Sequence, residues 1–122
     1  MRFTLDSTAG ANVVRAYRPG EIRINDATFN SSVIVSAAQI QTQPELRSVG
    51  DLELDLAARV LALRPELVLL GTGERQIFPA PFFCAHFLRV GIGFEVMDTG
   101  AACRTFNVLV AEQRLAVAIL MA

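Results

Sequence analysis

Leu67-Val-Leu-Leu70 is a run of four apolar residues closed at once by Gly71, too short for a helix and apolar at every position. A strand of that kind is buried on both faces, and doubly buried strands belong to parallel sheets covered by helices on either side. The chain around it repeats the same alternation. Ser48-Val-Gly-Asp51 has the form of a capping box, in which the serine oxygen and an acid three residues on satisfy free N–H groups of a first helical turn. Leu52, Leu56, Val60 and Leu63 then recur at helical spacing, and Asp55 precedes Arg59 in the favourable i, i+4 order. Pro65 ends the segment, because the residue before a proline is pushed out of the α region. A second helix is expected from about Pro81 to Gly91 and a strand over Gly93–Met97. A third helix, capped by Asp98 or Thr99, runs to about Glu112, and Leu115–Met121 supplies a last strand. From residue 48 the order is α-β-α-β-α-β, which predicts crossover connections in one sheet.

The N-terminal third reads as β structure. Glu21-Ile-Arg-Ile24 alternates polar and apolar, Thr28–Ser36 contains the β-branched run Val33-Ile34-Val35, and Asn25-Asp26 suits the turn between them. Ala37–Arg47 has no clear period and reads as loop. Together these segments predict an α/β fold: a three-layer single domain over residues 1–122, with a mixed, mainly parallel central sheet and helices packed on it. An additional N-terminal β element is expected over about 1–36, as a hairpin or edge layer, and the α/β part over about 48–122.

Composition narrows the functional classes. A chain that is 52% hydrophobic with a net charge of −1 has too much apolar content and too little self-repulsion to stay disordered. Its longest apolar run, Leu115–Ala122, falls far short of a bilayer span, so no membrane insertion is expected. Met1–Asp6 has neither a signal-peptide core nor transit-peptide character, which points to the cytoplasm. All 11 basic residues are Arg, yet seven Arg against seven acids over 1–65 and four against five over 66–122 leave no basic surface for a nucleic acid. Cys84, Cys103 and the single His86 lack the number and spacing of a metal site, and the two cysteines read as small buried hydrophobes.

Chemistry is expected where two loops leave the carboxyl edge of the sheet. Gly71-Thr-Gly-Glu-Arg-Gln76 follows one strand and Asp98-Thr-Gly-Ala-Ala-Cys-Arg104 follows the next, at the edge where open α/β sheets bind ligands. The second loop enters a helix whose free N–H groups favour an anion. Thr99, Cys103 and Asn107 share one stripe of that helix, with Arg104 beside it. The candidate ligand or partner site is therefore Gly71, Thr72, Gly73, Arg75, Gln76, Phe78, Asp98, Thr99, Arg104 and Asn107. Three of them have a plain structural alternative: Asp98 as a helix cap, Arg104 in a local ion pair, Asn107 on backbone groups. Gly71-Thr-Gly73 is neither a dinucleotide fingerprint nor a Walker loop, so no cofactor is assigned. No catalytic residue is assigned either, since Cys84 and His86 at i, i+2 lie on different helix faces. Glu95, inside an apolar strand, marks either an exposed strand face or a paired acid. Ile77-Phe-Pro-Ala-Pro-Phe-Phe83 reads either as core or as an exposed apolar patch for self-association or a protein partner.

Gly71-Thr-Gly73 with Gln76 and Phe78-Pro79, Glu95-Val-Met-Asp-Thr99 and Ala101-Ala-Cys-Arg-Thr-Phe-Asn107 resemble a family of small domains. Its eukaryotic members include complex I (NADH:ubiquinone oxidoreductase) assembly factor 3, and it has bacterial and archaeal relatives of about this length. The resemblance implies a three-layer α/β domain with a mixed sheet and an extra β element, and it implies no established activity. Phe106 stands where many bacterial relatives carry Tyr, which argues against an essential phenol there. The leading expectation is a non-enzymatic interaction or assembly module with a protein partner or a second copy of itself. The alternative is a domain binding a small anionic ligand at the sheet edge.

Overall fold

Alternation within the short apolar strands sends successive side chains to opposite faces of one sheet, and both faces are buried. The computed structural model describes residues 10–122; residues 1–9 of the expected N-terminal β element lie outside the described residues. Strands β1 (Val14–Arg18), β2 (Glu21–Ile24) and β3 (Ala27–Phe29) form a three-stranded antiparallel sheet in that order. The β2–β3 turn falls on Asn25-Asp26 as the sequence predicts, with Asn25 at φ 55°. A second, five-stranded sheet has the order β5-β4-β8-β6-β7, from β4 (Ser32–Val35), β5 (Ile40–Gln43), β6 (Leu67–Gly71), β7 (Gly93–Met97) and β8 (Ala116–Leu120). β6 runs parallel to β7 and β8, whereas β4 is antiparallel to both β8 and β5. The central sheet is therefore mixed.

Three helices cover it: α1 (Leu54–Leu61), α2 (Pro81–Leu88) and α3 (Thr99–Ala111). On one face Val33, Val35, Leu69, Ala118 and Leu120 pack against Phe106 of α3 and against Ile22 and Ile24 of the small sheet. On the other, Ile34, Val68, Leu70, Val117 and Ile119 pack against Leu56 and Val60 of α1 and against Phe83 and Phe87 of α2. The layers are thus α1 and α2, the central sheet, and α3 with the small sheet. Pro81 starts α2 where its missing N–H is not needed, and Gly91 at φ 80° follows its end.

Three sequence expectations change. Thr28–Ser36 is not one strand: the chain leaves the small sheet after Phe29, and Ser32 begins β4 in the central sheet, its hydroxyl donating 2.6 Å to the Leu46 carbonyl. Ala37–Arg47 is not all loop, since Ile40–Gln43 pairs with β4 as an edge strand. Its residues are at most partly buried, and Gln41, Thr42 and Gln43 carry no apolar period. Ser48 forms the expected capping box with Asp51 but does not open the α-helix. It precedes a single 3-10 turn over Val49–Asp51, where the Asp51 carboxylate accepts the N–H groups of Arg47 and Ser48 at 2.9 and 3.1 Å; α1 begins at Leu54. Those two N–H groups hold the Asp51 carboxyl below its ordinary range.

α2 divides its phenylalanines sharply. Phe83 and Phe87 are fully buried, and Phe87 stacks on Phe94 of β7 with ring centroids 5.1 Å apart, while Phe82 remains 47% exposed. Phe87→Ala should therefore cost about 3–5 kcal/mol in urea denaturation, and Phe82→Ala should stay within about 0.5 kcal/mol of the native chain.

Candidate functional site

The connections from β6 and β7 part company. β6 passes through α2 to β7 on one side, and β7 passes through α3 to β8 on the other side of β6, with α2 and α3 on opposite faces. Neighbouring strands whose connections diverge in this way leave a crevice at their carboxyl ends, the usual ligand position in open α/β sheets. Gly71, Thr72, Gly73, Asp98 and Thr99 meet there.

The molecule fills that crevice with its own groups. Thr99 is fully buried; its hydroxyl accepts the Gly73 N–H at 2.7 Å and donates to the Met121 carbonyl at 2.8 Å, while its own N–H donates 2.8 Å to the Gly73 carbonyl. Gly71 is where α3 comes closest, because a Cβ there would lie 2.9 Å from Thr99 Cα. The Thr72 hydroxyl donates to the Arg75 carbonyl and accepts the Ile77 N–H, so the turn is pinned from within. Asp98 is the cap, taking the Ala101 N–H at 2.9 Å on its carboxylate. The helix N-terminus expected to attract an anion thus already holds one from its own chain.

The remaining candidates divide. Asn107 is engaged with β1, accepting the Val14 N–H at 2.9 Å and donating to the Val14 carbonyl at 2.8 Å. Arg104, beside it, is exposed and forms no ion pair with the described residues. Arg75, Gln76 and Phe78 lie on the exposed loop after β6, where the Gln76 amide donates 2.9 Å to the Val96 carbonyl of the edge strand β7. Phe78 is 70% exposed, and Ile77 and Phe82 are 49% and 47% exposed. Glu95 points to solvent from the same edge strand, which accounts for an acid in an apolar run.

Cys84 and Cys103 are free and lie on helices packed against opposite faces of the sheet. Burial pushes the Cys103 thiol up to about 11, away from a reactive thiolate. Among the described residues no group of His, Cys, Asp and Glu is arranged to hold a metal ion, and no helix is long and apolar enough to cross a membrane.

One residue escaped the sequence reading. Tyr17 of β1 lies over the first turn of α3, and its hydroxyl is buried without a hydrogen-bond partner among the described residues. It lines a cavity of about 190 Å³ together with Gly100, Cys103 and Arg104. Burial, with Glu74, Cys103 and Asp98 nearby, raises its pKa above the ordinary phenol value. The only signal in the sequence was that this chain has a single tyrosine, placed in a half-exposed strand.

With this geometry in hand, comparison with known proteins is informative. A model for a family of proteins of unknown function (DUF498/DUF598) matches residues 14–121. The 13 kDa major membrane protein of Francisella tularensis is 32% identical over 104 residues, which cover 82% of each chain. NADH dehydrogenase (ubiquinone) 1 alpha subcomplex assembly factor 3 of Danio rerio is 33% identical over 119 residues, covering 95% of this chain and 67% of that protein. Among solved structures, a Mth938-like domain from Bordetella pertussis superposes with a TM-score of 0.78 at 29% identity, covering 90% of this chain and 85% of that one.

Thr99→Val keeps the shape of the side chain and strands the Gly73 N–H and the Met121 carbonyl, so it should cost about 2–4 kcal/mol in chemical denaturation. Tyr17 can be titrated alone by phenolate absorbance, and its midpoint should lie above 10 in the folded chain. Because the folded state holds the proton more tightly, the contribution of Tyr17 to stability is present below pH 10. It is lost as pH rises through the folded midpoint.

Proposed function

This chain belongs to the DUF498/DUF598 family, and from that premise we propose that it is a non-enzymatic assembly module that docks a protein partner. The observation that carries the reading is the outer side of α2. The helix is Pro81-Phe-Phe-Cys-Ala-His-Phe-Leu88, apolar nearly all round, yet only Phe83 and Phe87 are buried in the described fold. A helix apolar on every side is ordinarily covered on every side. Here Ile77, Phe78, Phe82 and Leu88 remain 47–70% exposed beside Arg75. Large apolar side chains left exposed on and beside one helix favour a protein contact, with the aromatic rings as its energetic centre.

Relatives named as complex I assembly factors support a partner from respiratory complex assembly. The filled crevice at the sheet edge supports binding without catalysis. This reading keeps the cytoplasm as the compartment and the apolar surface of α2 as the contact with a subunit of a nascent complex.

The test is deletion in a native host that carries complex I, followed by native gel electrophoresis and rescue. Assembled complex I should fall on deletion, and the wild-type chain should restore it. A Phe78→Ser/Phe82→Ser chain should fold normally and fail to restore it, with partner affinity about 30-fold weaker as expected from losing aromatic anchors. Unchanged assembly after deletion, or full rescue by the doubly substituted chain, overturns the proposal.

A further inference from the structure

The free edge of the central sheet at β7 turns backbone groups outward that the described fold leaves unpaired. Gly93 donates its N–H to the Glu66 carbonyl at 3.2 Å, and Met97 accepts the Thr72 N–H at 3.0 Å. Gly93, Glu95 and Met97 therefore bond toward β6, and alternation along the strand turns Phe94 and Val96 the other way. The Gln76 amide donates 2.9 Å to the Val96 carbonyl, the place a neighbouring strand's N–H would take. The Phe94 N–H and carbonyl and the Val96 N–H stay open along the same edge.

The side chains of this edge differ by face. Phe94 and Val96 are half-buried on the face that α2 covers, where Phe94 stacks on Phe87. Glu95 points from the other face to solvent and forms no ion pair with the described residues. That acid bears on what can pair here. Antiparallel pairing of two copies that uses both outward residues sets Phe94 opposite the other copy's Val96. The two Glu95 carboxylates then stand directly opposite each other, an arrangement that like charges oppose. An edge that disfavours its own copy in this way favours a strand with a cation at the matching position.

We infer that β7 takes an extended segment of the partner protein as an added strand, with an Arg or Lys opposite Glu95 and an apolar residue on each side of it. The inference rests on the reading of this chain as a docking module and adds which part of the partner it holds. Main-chain bonds to Phe94 and Val96 supply affinity, and the alternating side chains supply specificity. The two apolar residues fall on the face of Phe94 and Val96. Gln76 ties the loop bearing the exposed Ile77 and Phe78 to the end of the same edge, so one partner can use both surfaces.

The probe is the blocked peptide acetyl-Ser-Val-Arg-Val-Ser-amide, titrated into the full chain while backbone amides are followed by NMR and hydrogen exchange. Saturable shifts should centre on Phe94, Glu95 and Val96, and exchange of the Phe94 and Val96 N–H groups should slow. The same peptide with Glu in place of Arg should bind about fivefold more weakly, as expected for replacing an opposite-charge cross-strand pair by a like-charge one. Glu95→Lys should reverse that preference and Glu95→Gln should abolish it. Methylating the valine nitrogens of the peptide should remove binding, and Ile40 and Thr42 on the other edge, β5, should not respond. Absence of binding, binding indifferent to the charge at Glu95, or equal response of β5 overturns the inference. Because these readouts need no complex I, they separate the two readings. Peptide binding as described with unchanged complex I after deletion upholds the strand site and removes the assembly role, whereas lost assembly with no peptide binding removes the strand site alone.

Discussion

Burial of both faces of β6 and β8 is the constraint on which the rest of the molecule depends. Every side chain of β8 from Ala116 to Leu120 is buried, alternately toward one cover and the other. A strand in that position has no solvent side, so the chain must supply two separate covers. α1 and α2 make one, and α3 with the small sheet makes the other. The apolar surplus in the composition is largely this double lining, and what remains outside it is Ile77, Phe78, Phe82, Leu88 and Val90 in and around α2 together with Leu54, Val108 and Leu115 elsewhere.

The sheet-edge crevice follows from the same arrangement, but its chemistry does not follow from its position. Divergence of the β6 and β7 connections creates a place where ligands commonly bind, and here Thr99, Gly71, Gly73 and Met121 close it by direct bonds and close approach. Such a latch joins three strand ends through one hydroxyl. Beyond this latch Arg104, further along α3, stays exposed, while the Tyr17 hydroxyl on β1 stays buried.

How far the sequence could be read depended on whether a signal was local. The helix start at Pro81, the cap at Asp98, the turn at Asn25-Asp26 and the buried run Leu67–Leu70 are each dictated by neighbours in the chain, and the structure has them there. β5 was missed because an edge strand with one partner needs no apolar face. The Ser48 turn was misplaced because the same residue pattern serves a 3-10 turn as well as a helix. Asn107 and Thr99 were identifiable as polar residues on a helix stripe, but their partners Val14 and Met121 are distant in sequence and only the packed fold brings them together. Tyr17 carried no local pattern, since its isolation is a property of what fails to reach it.

The place of β8 in the sheet also governs the order in which the fold can be made. It lies between β4 and β6, which have no pairing with each other, so the β4–β5 hairpin and the β6–α2–β7 unit are joined only through it. Until β8 is in place each half therefore keeps an unpaired strand edge. That interval is when a nascent chain is most exposed to wrong pairing.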